Sequence, residues 1–323
     1  MSDRVDSQWW SGMSERRALS SVADVSLALV VLVAGVGVFA AHLDSTETSH
    51  DPTAAAQTAE TLGASTLNLT YSLESVLETD SEFVPAVGDE SAPYDSEALE
   101  RSTHGSTIGH VARAALADAR FGSVSPFAVG EGYAELLDER LLVSLVGTNF
   151  ATNVTAVWEP FEGASTRGTA TFGRPIPHDT QRSVVRTTVA SELPAVREDA
   201  LAAVENGTDT DNGYGSVARV VAEAVVRGAL GDTQRELESD GVERAVVVSR
   251  YLGFADAFDI DRDALEEHLE RSSADDEAML TTLVDSFTEQ LTGELSSGFE
   301  TPRAAASAVS TGTVTVSVTT WTR

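Results

Sequence analysis

The nineteen residues from Val25 to Leu43 contain no acid, no Arg and no Lys, and they constrain the chain more than any other stretch. As a helix rising 1.5 Å per residue they span about 28 Å, close to the ~30 Å hydrocarbon core of a bilayer. Arg16 and Arg17 precede them, and Asp44, Glu47 and Asp51 follow. The positive-inside rule then keeps the N-terminus in the cytoplasm and places the larger remainder outside. A cleaved export signal is a competing reading. Val38-Phe39-Ala40 suits a signal peptidase, which would leave Ala41 as the new N-terminus, but the apolar run exceeds the usual h-region of about 7–15 residues. Arg16-Arg17-Ala18-Leu19 is a partial twin-arginine signal with Ser20 where a second apolar residue is expected.

The rest of the chain is strongly acidic. Its 51 acids face 21 bases, all of them Arg, for a net charge of −30 over 323 residues. Residues 1–44 hold five acids and three arginines, so −28 of that charge lies beyond them. Such a chain lacks the clustered cations that bind nucleic-acid phosphates or anionic lipid heads. Disorder is the other reading of acid excess, but 42% of the residues are apolar and they fall in periodic segments. A folded body carpeted with Asp and Glu fits better. Molar salt, with a Debye length of about 3 Å, relieves the self-repulsion of such a surface. With no Lys and abundant Ala, Val and Thr, the composition resembles that of halophilic archaeal proteins. The chain has no Cys, which excludes disulfides, thiolate metal sites, Cys nucleophiles and Cys-linked lipids.

Arg17 to Val25 (RALSSVADV) resembles the prepilin-type leader of archaeal type IV pilins and pseudopilins. The resemblance implies a cut between Ala18 and Leu19, which makes Asp24 the sixth residue of the mature chain. Pilins carry an acid near the fifth position that meets an α-amine in the assembled filament. Asp24 is offset by one, and Ala18 stands where Gly is usual. The bland alternative for Asp24 is a carboxylate at the membrane rim that snorkels into the headgroups. Most of the chain also resembles a family of haloarchaeal membrane proteins encoded beside secretion-type ATPases of pilus systems. The matching segments are the leader, Asn153 to Pro160 (NVTAVWEP), Ala218 to Gly228, and Thr301-Pro302-Arg303 leading into the last strand. The family brings no chemistry to carry over.

The expected fold class is α+β: an N-terminal transmembrane helix followed by an extracellular body of mixed helices and antiparallel strands. Residues 1–18 are read as a cytoplasmic leader, 19–43 as the transmembrane helix, 52–205 as an α+β region, and 216–323 as a mainly helical region of the same body. Strands are expected at Thr66–Ser72, Asn153–Trp158, Thr169–Phe172, Ser183–Ala190 and Thr313–Trp321. Pro175-Ile176-Pro177 joins the third to the fourth. Helices are expected at 54–62, 106–119, 135–146, 216–230, 261–271 and 273–295, with a short one opened by Thr301-Pro302. Asn206 to Gly215 is the clearest break, either a division of the body or a loop.

Sequons at Asn68, Asn153 and Asn206 mark candidate N-glycosylation sites in an external body. The acids between Asp259 and Glu270 imitate a calcium loop, but Ala264 occupies the position that demands Gly. The six His are scattered, and His104 and His110 do not share a helical face. Gly-x-Ser-x-Gly, Walker and dinucleotide motifs are absent. No catalytic, cofactor or metal site is expected. The expected role is a non-enzymatic pilin-like minor subunit or accessory protein. Its expected partners are sister subunits and a secretion-type platform protein. The alternative is an anchored surface protein that binds an unidentified ligand or partner.

Overall fold

Strand β6 (Thr313–Thr322), the last element, organises the body, because Val314, Val316 and Val318 alternate with Thr and Ser and are fully buried. In a computed structural model of the chain, β6 pairs antiparallel with both β3 (Phe150–Trp158) and β5 (Arg182–Ala190). With β4 (Gly168–Gly173) the sheet has the order β4-β3-β6-β5 and is antiparallel throughout. The structure describes residues 53–77, 94–122, 124–127, 129, 132–144, 150–206, 213–231, 241–261 and 276–322. The transmembrane helix expected at 19–43 and the helix expected at 261–271 lie outside them, apart from Asp261. No helix among the described residues is long and apolar enough to cross a membrane.

Residues 51–323 form one compact unit with α+β architecture. Helices α1 (Ala54–Ala64) and α2 (Thr107–Ala117) lie on the sheet. The face they cover carries Val154, Ala156 and Trp158 of β3 and Phe172 of β4, all buried. The Trp158 indole is fully buried and donates its N–H to the Thr311 carbonyl at 2.9 Å, so its one polar atom is satisfied. Gly168 of β4 permits the closest approach: a Cβ there would collide with the Ala115 carbonyl of α2.

A second, two-stranded sheet pairs β1 (Thr66–Ser72) with β2 (Glu100–Ser106), antiparallel in full register. Helix α3 (Tyr133–Ser144) packs on β1 and runs by the free edge of β4, where Asp138 accepts the Gly173 N–H at 2.8 Å. An unpaired edge amide is thereby satisfied by a side chain.

The remaining layer is helical: α4 (Arg197–Asn206), α5 (Gly213–Leu230), α6 (Val242–Ala257), α7 (Asp276–Gly298) and α8 (Pro302–Ala308). The expected stripe on α7 is the buried one, with Leu280, Leu283, Val284, Phe287, Leu291 and Leu295 no more than 5% exposed. It packs on α5, whose buried positions are all Gly, Ala, Val or Leu. Phe121 joins the layers, meeting Phe254 and Phe287 edge-on at 5.5 and 5.2 Å. Each such pair contributes about 1 kcal/mol beyond its buried area. Thr301 caps α8 by accepting the Ala304 N–H at 3.2 Å, with Pro302 at the first helical position.

Several elements depart from the sequence reading. Strand β2 and helices α4 and α6 were not expected. The β4-to-β5 connection through Pro175 and Pro177 is no hairpin: it crosses two intervening strands to the far edge. Asn206 and Gly213 bracket the apparent break, but α4 and α5 pack against each other within one unit.

Candidate functional site

A polar network with a buried His at its centre draws on five separated segments: β1, β2, α2, α3 and the turn at 191–192. Helix α2 is apolar except on one side, where His110 and Arg113 stand one turn apart. His110 is 4% exposed. Its Nδ1 lies 2.8 Å from the Tyr133 hydroxyl of α3, and its Nε2 lies 3.2 Å from the Leu67 carbonyl of β1. A carbonyl only accepts, so Nε2 carries the proton and Tyr133 donates to Nδ1. That arrangement requires a neutral ring. Burial lowers the His110 pKa, opposed by its bond to the Leu67 carbonyl. Burial also pushes the Tyr133 hydroxyl well above its ordinary value, so it stays protonated. Tyr71 of β1 meets the Tyr133 ring edge-on at 5.2 Å.

Arg113 reaches the other way. Its Nε and Nη2 donate to the Glu192 carboxylate at 3.0–3.2 Å, and Nη1 donates to the Thr103 hydroxyl at 3.0 Å. Burial is the largest single influence and works against its charge, but the Glu192 hydrogen bonds together with the Glu192 charge outweigh it and raise the pKa. Glu192 holds a left-handed backbone with φ 73°, a conformation that costs a non-glycine residue about 1–2 kcal/mol. Neighbouring Ser191 fixes the turn: its hydroxyl donates to the Thr311 carbonyl at 2.6 Å and accepts the Leu193 N–H at 3.2 Å.

Tyr71, Arg113, Phe127, Glu192 and Arg250 line a cleft of about 200 Å³ beside this network. Arg250 also donates to the Ala229 carbonyl at 2.8 Å. The lining offers two guanidiniums, one carboxylate and apolar walls, with Arg113 already matched by Glu192 and Thr103. The His110–Tyr133 pair is turned into the protein, and both ring nitrogens are spent on internal bonds. Among the described residues, no three His, Asp or Glu side chains gather as a metal site.

The residues singled out from sequence are not brought together. Ala18, Leu19 and Asp24 lie outside the described residues, as does most of the calcium-loop imitation. Asn68 is exposed on β1, opposite His104 of β2, and Asn206 is the exposed last residue of α4. Asn153 is different. It is 4% exposed in the middle of the main sheet, and its amide nitrogen donates to the Arg174 carbonyl at 3.0 Å. The folded chain does not offer that nitrogen to a glycan. The His110–Arg113 cluster was missed. Its available signal was a His and an Arg one turn apart in an otherwise Ala- and Val-rich helix.

No curated protein and no solved structure matches the chain. A family model, described as a family of unknown function (DUF7284), matches residues 23–321. That match takes in every described residue but the last, and the chain belongs to the DUF7284 family.

Proposed function

We propose that the chain is a non-catalytic, pilin-like minor subunit or accessory protein of an archaeal type IV pilus or related secretion machine. It is held by residues 19–43 in the membrane with its body outside. The observation that carries this reading is the Arg17–Val25 leader running directly into an uncharged apolar stretch of membrane-spanning length. The basic pair before the stretch and the lack of any Arg or Lys between residue 44 and Arg101 support the orientation. Within the body, the buried His110–Tyr133 pair is committed to internal hydrogen bonds, which supports a scaffold role over a reaction.

On this reading a peptidase on the cytoplasmic side frees the Leu19 α-amine and leaves the apolar helix attached. Asp24 then neutralises the amine of a neighbouring subunit inside a low-dielectric bundle, where an unpaired charge is costly. Mass spectrometry of the membrane-extracted protein should find an N-terminus at or within a few residues of Leu19. Asp24→Asn should leave processing intact and reduce recovery with partner subunits. An N-terminus at Met1 or Ser2 reduces the protein to a plain anchor, and one at Ala41 makes it a secreted product.

The cleft of about 200 Å³ lined by Tyr71, Phe127 and Arg250 favours a second reading, an anchored surface protein that binds an unidentified small ligand. Calorimetry with a panel of aromatic and aliphatic carboxylates separates the two. Binding abolished by Arg250→Ala supports the second.

A further inference from the structure

The face of the main sheet turned away from α1 and α2 differs from the rest of the molecule in charge. Strand register places seventeen residues on it and none is an acid; Ala151, Asn153, Thr319 and Trp321 are already buried within the chain, and the exposed part carries Thr171, Thr315, Arg182, Val184 and Arg186. Strands are ordinarily poor in acids, so that alone decides little. The arginines decide more. Residues 163–191, which hold both edge strands and their connection, carry four arginines and one acid in a chain of net charge −30. Elsewhere Arg101, Arg113, Arg219, Arg227 and Arg303 each reach a carboxylate, while Arg140, Arg197 and Arg244 each stand next in sequence to an acid of their own helix. Arg167, Arg174, Arg182 and Arg186 are exposed and form no ion pair among the described residues. Between Arg182 and Arg186, Val184 is 48% exposed, a rare position for a large aliphatic side chain on this surface. Strand β5 has a described neighbour on one side only.

We propose that this face is an interface for a second copy of the chain, and that it meets the acidic helical layer of that copy. Charge complementarity selects the occupant. The face is cationic and free of acids, while α4 and α7 present exposed Glu198, Asp199 and Glu289. Arg182 and Arg186 lie about 13 Å apart along the strand and project to the same side. Two like faces brought together would oppose arginine to arginine, so the contact is heterologous, sheet of one copy on helices of the next. Such a contact repeats into an open row unless its rotation closes a ring. In molar salt only charges in direct contact attract, so the arginines confer register while Val184 and the Thr methyls give up water. The inference rests on the assembly reading above and names the surface that assembly uses.

The test is sedimentation of the full chain in non-ionic detergent and molar salt over a range of concentrations. Wild type should associate, and the double variant Arg182→Glu/Arg186→Glu should weaken association at least tenfold. Val184→Glu should act in the same direction. Arg140→Glu, an exposed change of equal sign on α3, should leave association unchanged. Circular dichroism should show all variants folded, and amide exchange should slow across β5 only in the associated wild type. Association that survives both sheet variants and is lost in Asp24→Asn overturns the surface and leaves the membrane-helix handle. Association lost in the sheet variants with Asp24→Asn intact supports the surface and removes the handle. A wild type that stays monomeric at every concentration overturns the proposal.

Discussion

His110 shows how one side chain ties pH to stability. Its ring must be neutral to accept from Tyr133 while donating to Leu67, and burial lowers its pKa below the ordinary 6.5. The unfolded chain therefore binds a proton that the folded chain resists. Its contribution to stability is fully present above about pH 6.5 and is lost as pH falls below that value toward the depressed folded pKa. Thermal melts between about pH 8 and about pH 5 should show a decline that is smaller in His110→Gln, which cannot titrate. Equal slopes in the two proteins would remove His110 from the account. Tyr133→Phe should cost about 1–2 kcal/mol at neutral pH, because it leaves Nδ1 buried without a donor. None of this was legible in the sequence. His110 finds its partners 23 and 43 residues away, and Arg113 finds Glu192 across 79. A helix pattern reveals which positions face inward, but not which distant residue waits there.

At the scale of elements, the close seat of α2 on β4 is set by one missing methyl group. A Cβ on Gly168 would collide with the Ala115 carbonyl and lie 2.8 Å from the Ala119 nitrogen, both backbone atoms that cannot swing aside. Gly168→Ala should lower stability by about 2–3 kcal/mol as overpacking pries α2 from the sheet. Gly293→Ala, in the middle of α7 with open space around it, should instead stabilise by up to about 1 kcal/mol. Denaturant midpoints of the two variants, with unchanged slopes, check both signs. Elements with one buried face were readable: β1 and β6 by alternation, α7 by its stripe. Those without such a contrast were not. Strand β2 (ERSTHGS) has no apolar residue to alternate and is held by its ladder to β1, including the Thr70–Ser102 hydroxyl pair at 2.8 Å. Helix α6 buries residues on several sides, Val242, Val247, Tyr251 and Phe254 among them, so no single stripe marks its period. The separation of β4 from β5 depends on β6 arriving about 120 residues later, a non-local pairing that no local pattern encodes.

For the whole molecule the governing quantity is charge. The ion pairs do little to offset it: Arg219–Asp285, Arg227–Glu277 and Arg303–Glu205 all join side chains that are about half exposed or more, and such pairs are worth about 0–1 kcal/mol each. The unpaired excess repels itself over the Debye length, about 10 Å at 0.1 M salt and about 3 Å at 1 M. At the lower salt each carboxylate feels its neighbours' neighbours, and at the higher it feels little beyond contact. The full chain in non-ionic detergent should therefore lose structure as salt falls below about 1 M, with a melting temperature lower by about 10 °C or more at 0.1 M. Salting-out would also raise stability with salt, by strengthening apolar burial. The two differ in shape. Screening acts mostly where the Debye length changes fastest, below about 0.5 M, and depends on ionic strength alone, whereas salting-out keeps growing at higher salt and is stronger for sulfate than for chloride. Circular dichroism melts in both salts at matched ionic strength resolve them. Coincident curves that rise steeply and then flatten identify acid–acid repulsion as the destabilising force. A melting temperature unchanged between 0.1 M and molar salt would show that the acids are spaced widely enough to tolerate one another, and the acidic surface would then need an explanation other than salt.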